Sequence, residues 1–84
     1  MYSFHKLTAI EPCEGFSLIG TFETGKKKLY HMDRLAKQFP VFEVLRDNPL
    51  FGKARVDTGG YGVIWNDDLD LSSEDIWEFG RDIV

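Results

Sequence analysis

Phe16-Ser17-Leu18-Ile19-Gly20-Thr21-Phe22-Glu23-Thr24-Gly25-Lys26-Lys27-Lys28-Leu29-Tyr30 carries the strongest strand signal in the N-terminal half of the chain. From Phe16 to Phe22 the alternation places Leu18 and Phe22 on one face of a strand and Ile19 on the other. Glu23 to Lys26 is a short link, and Gly25 supplies the positive φ that a tight hairpin turn needs. Lys27 to Tyr30 is the return strand. A hairpin at this point commits the first half of the chain to antiparallel sheet.

Working outward, Lys6 to Glu11 reads as a preceding strand closed by Pro12, which would interrupt a central ladder. Cys13-Glu14-Gly15 is the turn between them. Past Tyr30 the period changes. Asp33-Arg34-Leu35-Ala36-Lys37 suits one or two helical turns with Asp33 as the cap. Phe39-Pro40 interrupts it, and Val41, Phe42, Val44 and Leu45 then recur at three- and four-residue spacing. That spacing predicts a second short helix ending before Asn48-Pro49. Both are too short to be stable without docking on a sheet.

Phe51 to Asp57 is the next strand candidate, and Asp57-Thr58-Gly59-Gly60 makes a tight turn. Tyr61 to Trp65 returns, with Tyr61, Val63 and Trp65 on one face and Gly62 and Ile64 on the other. Ser72 caps a helix beginning at Ser73, with Asp75 placed to return a bond to the cap amide and Leu71 and Ile76 as a hydrophobic staple. Gly80 ends it. The expected fold is α+β: one small antiparallel sheet of about five strands built from two hairpins, with short helices packed on it. Residues 1–84 make a single domain.

Composition sets limits on function. The 84 residues are 43% hydrophobic and 14% aromatic, enough for a dense core. A domain this size buries only about 60–65% of its unfolded surface, so a partner is a natural complement. Fourteen Asp and Glu against ten Lys and Arg give a net charge of -4. On that balance no nucleic acid and no anionic membrane surface is expected as a partner, since Lys26–Lys28 is a narrow basic footprint. One cysteine, Cys13, leaves no internal disulfide. Met1 to Leu7 lacks the pattern of a secretory leader, and no apolar stretch approaches a membrane span, which makes the cytoplasm the expected location.

The candidate chemistry is sparse. Asp57-Thr58-Gly59 matches the short signature of aspartic proteases, but that reaction needs two carboxylates sharing a proton, and a turn accounts for the same residues. Asp67, Asp68, Asp70, Glu74 and Asp75 form the densest acidic group. A calcium loop begun at Asp68 would put Ser73 where glycine belongs and Phe79 where glutamate belongs, so a solvated loop leading into a capped helix is the simpler reading. His5, Cys13 and His31 lack zinc-site spacing, and Cys13 could act as a nucleophile only if His5 or His31 came to sit beside it in the fold. Gly59-Gly60-x-Gly62 lacks the helix and Lys-Ser/Thr ending of a phosphate loop. No catalytic, metal or cofactor residue is assigned, and no small-molecule ligand is indicated. Trp65 reads as a core anchor. Trp77, with Ile76 and Phe79, puts apolar groups on more than one side of the last helix.

Several segments in order resemble a known family. Phe22-Glu23-Thr24-Gly25, Asp33-Arg34-Leu35 and Phe42-Glu43-Val44-Leu45-Arg46-Asp47 are followed by Phe51, Val56-Asp57, Gly60, Val63-Ile64-Trp65-Asn66 and Asp70-Leu71-Ser72-Ser73-Glu74-Asp75-Ile76. From Leu7 to Gly80 this is similar to the small bacterial proteins of domain-of-unknown-function family 2442. The resemblance implies a compact α+β fold with no established enzymatic activity. Some relatives are fused to a helix-turn-helix DNA-binding domain, and others are encoded beside a small protein of domain-of-unknown-function family 4160 in the manner of a toxin–antitoxin pair. With the chain ending at Val84, no DNA-binding helices are expected within it.

The leading expectation is therefore not an enzyme but a protein-interaction or regulatory module, the antitoxin-like partner of a small bacterial protein. The alternatives are a small hydrolase or metal-dependent enzyme using Asp57 or the Asp67–Asp70 loop, and a nucleic-acid-associated regulator. The last would need Lys26, Lys27, Lys28, Arg34 and Lys37 to form one stripe. A protein partner or a homodimer built on a sheet edge or the final helix is expected.

Overall fold

The computed structural model describes residues 5–83. The Met1–Phe4 stretch used in judging the leader, and Val84, lie outside the described residues. Three strands open the fold: β1 (Leu7–Cys13), β2 (Ser17–Phe22) and β3 (Lys27–His31). The hairpin forms in the expected register, with Leu18 opposite Tyr30 and Ile19 opposite Leu29. Gly25 has φ +91, and its N–H donates to the Phe22 carbonyl at 2.8 Å. Pro12 does not end β1. It is tolerated because β1 is an edge strand, where a missing N–H costs no ladder bond.

Helix α1 (Met32–Gln38) follows β3 directly, and two 3-10 turns cover Pro40–Leu45 and Pro49–Lys53. Asp33 is not the α1 cap. His31 holds that position without a side-chain bond, and the Asp33 carboxylate instead accepts from Arg46 Nη2 at 2.5 Å. Phe51 belongs to the second 3-10 turn, which Asn48 caps by accepting from the Leu50 N–H at 2.9 Å. Only β4 (Arg55–Val56) survives of the strand expected over Phe51 to Asp57. The chain continues through β5 (Gly62–Asn66), β6 (Leu69–Ser72), α2 (Ser73–Phe79) and β7 (Arg81–Ile83).

The seven strands make two antiparallel sheets, ordered β1-β2-β3-β7 and β4-β5-β6, where one sheet of about five was expected. Both missed strands are short. In β6, Leu69 and Leu71 point inward between exposed Asp70 and Ser72, an alternation hidden among the neighbouring aspartates. β7 has three residues and exists because α2 returns the chain to the free edge of β3.

One core lies between the sheets. Leu18, Phe22 and Tyr30 from the first sheet meet Val63, Trp65, Leu69 and Leu71 from the second, with Met32, Leu45 and Ile76 from the helices. Trp65 is the expected core anchor: its indole N–H donates to the Phe51 carbonyl at 3.3 Å. Ser72 caps α2, accepting from the Glu74 N–H at 3.1 Å, but among the described residues Asp75 returns no bond to the cap. The sheets join where Leu7 N–H donates to the Gly60 carbonyl at 2.7 Å. Gly60 has φ +86, and a Cβ there would stand 2.7 Å from the Leu7 carbonyl oxygen.

Two stability predictions follow from these contacts. Gly60→Ala should cost about 3 kcal/mol, combining left-handed strain with a backbone clash. Gly25→Ala, strained but opening into free space, should cost only about 1 kcal/mol. Equal losses in urea denaturation would mean the junction yields freely. Ser72→Ala should cost about 1 kcal/mol and Ser72→Asp almost nothing, by the same measurement.

Candidate functional site

The side of α2 that carries Trp77 builds the most organised surface feature. Ile76 takes the inward position, which sets Trp77 at the flank of the helix, over β3 and beside the start of β1. The His5 ring stacks on the indole at 3.8 Å with planes 9° apart, and Phe22 meets it edge-on at 5.0 Å. Lys28 Nζ lies 4.9 Å and Lys26 Nζ 5.9 Å from the centre of the same ring. The next residue in the chain, Lys6, extends its ammonium over Tyr61 at 5.8 Å. His5, Trp77, Lys28 and Lys26 thus form one cluster of rings and cations, and the Lys6–Tyr61 pair extends it along the chain into a ridge.

Each cation of the ridge has an acid beside it. Lys6 lies 3.9 Å from Glu23, and Asp82 holds Lys26 at 3.2 Å and Lys28 at 3.0 Å. Glu74 accepts from the His5 backbone N–H at 2.6 Å and from its ring Nδ1 at 3.0 Å. The hydrogen bonds from Lys28 and then Lys26 hold Asp82 below the usual carboxylate range. For Glu74, burial pushes upward, but the His5 backbone and ring bonds outweigh it and the net shift is downward. Lys26 and Lys28 share the one Asp82 carboxylate, so the ridge sets Lys6, Lys26 and Lys28 among Glu23, Glu74 and Asp82 on an aromatic frame.

Trp77 is therefore engaged inside the domain. Phe79 is about half exposed, with the Arg34 guanidinium 3.4 Å from its ring centre. The last helix does not offer the multi-sided apolar surface that its sequence suggested for a homodimer. The lysine run divides as well: Lys28 joins the ridge, whereas Lys27, one residue earlier, points to the opposite face of the sheet. Arg34 faces α2, so the stripe of Lys26, Lys27, Lys28, Arg34 and Lys37 does not form.

Asp57 closes the β4–β5 turn, its carbonyl accepting from the Gly60 N–H at 2.9 Å. Asp67 and Asp68 form the turn at the other end of β5, about 15 Å away for a five-residue strand. Asp70 lies in β6 and not in a loop. Asp68, Asp70 and Asp75 share the rim of a groove of about 310 Å³ floored by Leu35, Phe39, Phe42 and Leu71. Among the described residues no three His, Cys, Asp or Glu side chains are grouped to hold a metal ion. His5, Cys13 and His31 do not meet: His5 serves the ridge, and His31 Nδ1 lies 3.0 Å from Ser17 Oγ. Burial and then the Glu11 charge push the Cys13 thiol up, away from the thiolate a nucleophile requires.

Two features went unnoticed in the sequence. Ser17, which is 3% exposed, also donates to the Gly15 carbonyl at 3.2 Å, so the Ser17–His31 pair fixes the turn before β2. A cleft of about 610 Å³ runs between that turn and the 3-10 segments. Its lining includes both described non-glycine residues with positive φ, Phe16 at 56° and Asp47 at 53°. Neither carries a sequence signal, because nothing local distinguishes a strained Phe from a relaxed one.

Comparison with known proteins places these features in context. The family model for "Protein of unknown function (DUF2442)" matches residues 7–82. No curated protein matches the sequence. The crystal structure of NE0471, a candidate DNA-binding protein from Nitrosomonas europaea ATCC 19718, superposes with a TM-score of 0.77 at 22% identity over 95% of this chain. This chain spans 51% of that protein's length. The likeness is one of fold. It overturns the exclusion of nucleic acid drawn from net charge, because the same fold occurs within a candidate DNA-binding protein. A charge of -4 is a sum over the whole surface, whereas binding depends on how charge is distributed. Among the described residues no helix is long and apolar enough to cross a membrane.

The His5–Glu74 clasp gives a pH prediction. Glu74 has a folded pKa below its unfolded value of about 4.3, so its contribution is complete above that value and is lost as pH falls through the folded one. Acid should therefore release His5 from Trp77 and change the tryptophan fluorescence ahead of global unfolding. Glu74→Gln should remove that early change. A variant that keeps it would assign the transition to another carboxylate.

Proposed function

We propose, from the premise that the chain belongs to the DUF2442 family, that it is a non-enzymatic module of a nucleic-acid-associated regulator, touching the phosphate backbone through the ridge. The observation that carries this reading is the fold shared with NE0471 over 95% of the chain. The antitoxin-like reading has no comparable support.

The ridge suits a modest, sequence-independent contact. Lys6 and Lys26 are each about 40% exposed and can exchange Glu23 and Asp82 for phosphate oxygens. Trp77 has His5 on one face and lysine ammoniums within reach, so a base would have to displace an existing partner to stack on it. Phosphate contact positions a protein on nucleic acid without reading sequence. Base selection would fall to other parts of the assembly. The non-enzymatic part of the proposal is supported by the separation of Asp57 from the Asp67–Asp68 turn and by the raised pKa of Cys13.

Fluorescence anisotropy of a labelled DNA duplex at about 20 mM salt tests the reading, since two or three phosphate contacts give a log–log salt slope near −2 to −3. Lys6→Ala with Lys26→Ala should weaken binding by about tenfold or more, while Lys27→Ala on the opposite face should have little effect. Absence of binding at low salt, or equal losses from both changes, would overturn the proposal.

A further inference from the structure

The four-stranded sheet packs its core on one face only. On the other, the pairing register sets out three rows across the strands. The central row is Glu11, Ile19, Leu29 and Arg81, from β1, β2, β3 and β7 in turn. Beside it run Ala9, Thr21, Lys27 and Ile83, then Cys13, Ser17 and His31. Ile19, Leu29 and Ile83 do not belong to the core or to the residues packed against it. The helices contribute their contacts to the opposite face, through Ile76 and Tyr30.

We infer that this face is a two-fold interface with a second copy of the chain. The charges decide the occupant. Glu11 and Arg81 sit at opposite ends of the central row, three strand spacings or about 14 Å apart, beyond reach of each other. Neither forms an ion pair among the described residues. A two-fold axis parallel to the strands, midway between β2 and β3, exchanges β1 with β7 and β2 with β3. It sets Glu11 of one protomer against Arg81 of its partner twice, Ile19 against Leu29, and Ala9 against Ile83. Lys27 meets Thr21 and not another lysine. An axis across the strands would put Glu11 on Glu11 and Arg81 on Arg81, so the charge pattern selects the first arrangement. Aligned packing of two sheets at about −30° accommodates it.

The face is small. Four strands at about 4.8 Å spacing and some five residues long bury below about 1,000 Å² in total, the range of weak association. A dissociation constant of order 100 µM is expected. This surface is neither a sheet edge nor the last helix.

Sedimentation equilibrium of the chain, from about 10 to about 500 µM, brackets that constant. The wild type should move from 9.7 kDa toward twice that mass. Glu11→Arg alone and Arg81→Glu alone should each remain monomeric, and the double variant should associate again. An equimolar mixture of the two single variants should also associate, because both cross pairs are then complementary. The substituted side chains are exposed, and circular dichroism confirms that each variant folds. A wild type that stays monomeric, single variants that associate like it, or a double variant that does not recover would each overturn the interface.

Discussion

The two sheets touch backbone to backbone where Leu7 donates to Gly60, and the rest of the fold is arranged around that contact. Each sheet is apolar on one face, which has to be buried against another layer. Bringing β1 against the β4–β5 turn lets both inner faces bury the same set of side chains. The approach requires a residue without Cβ in the left-handed region, and Gly60 provides it. Gly20 plays a related part in the middle of β2. A Cβ there would stand 3.0 Å from Leu7 and 3.2 Å from Ile76, so its absence lets α2 settle onto the sheet.

Helix α2 connects this packing to the surface. Seven residues cannot hold a helix in water, so it is stable only because Ile76 is buried and Ser72 caps its start. Docked in this way, it carries Trp77 to β3 and Phe79 to α1. The lysines and Arg34 around it are then engaged by aromatic faces and by Asp82, while Glu74 is taken up by His5. The affinity of the ridge for any polyanion therefore depends on exchange of partners, and ionic strength controls that exchange more than net charge does.

The strands separate two surfaces by their alternation alone. Lys28 lies with Trp77 and Asp82 on the inner side, while Lys27, Leu29 and Arg81 line the outer side. The contact with nucleic acid proposed for the ridge and the pairing of two copies inferred for the outer face would use opposite sides of one sheet, so neither would block the other.

The sequence by itself determined the elements whose signals are local. The Phe16 to Tyr30 hairpin, the glycine turns at Gly25 and Gly59-Gly60, the Ser72 cap and the class of fold all follow from alternation, allowed φ and hydrogen-bond capacity within a few residues. Only the tertiary structure decided the division into two sheets, because β7 and β4 are too short to carry a pattern and exist through their partners. It also decided the ridge. His5 and Trp77 are 72 positions apart, and nothing near either residue in the chain signals a stack that forms only after α2 docks. Asp33 shows the same limit: beside its helix it looked like a cap, and only the fold offered it the stronger partner in Arg46. Local signals fix what a segment can be, and charge and ring partners are fixed by whatever packing brings within a few ångströms.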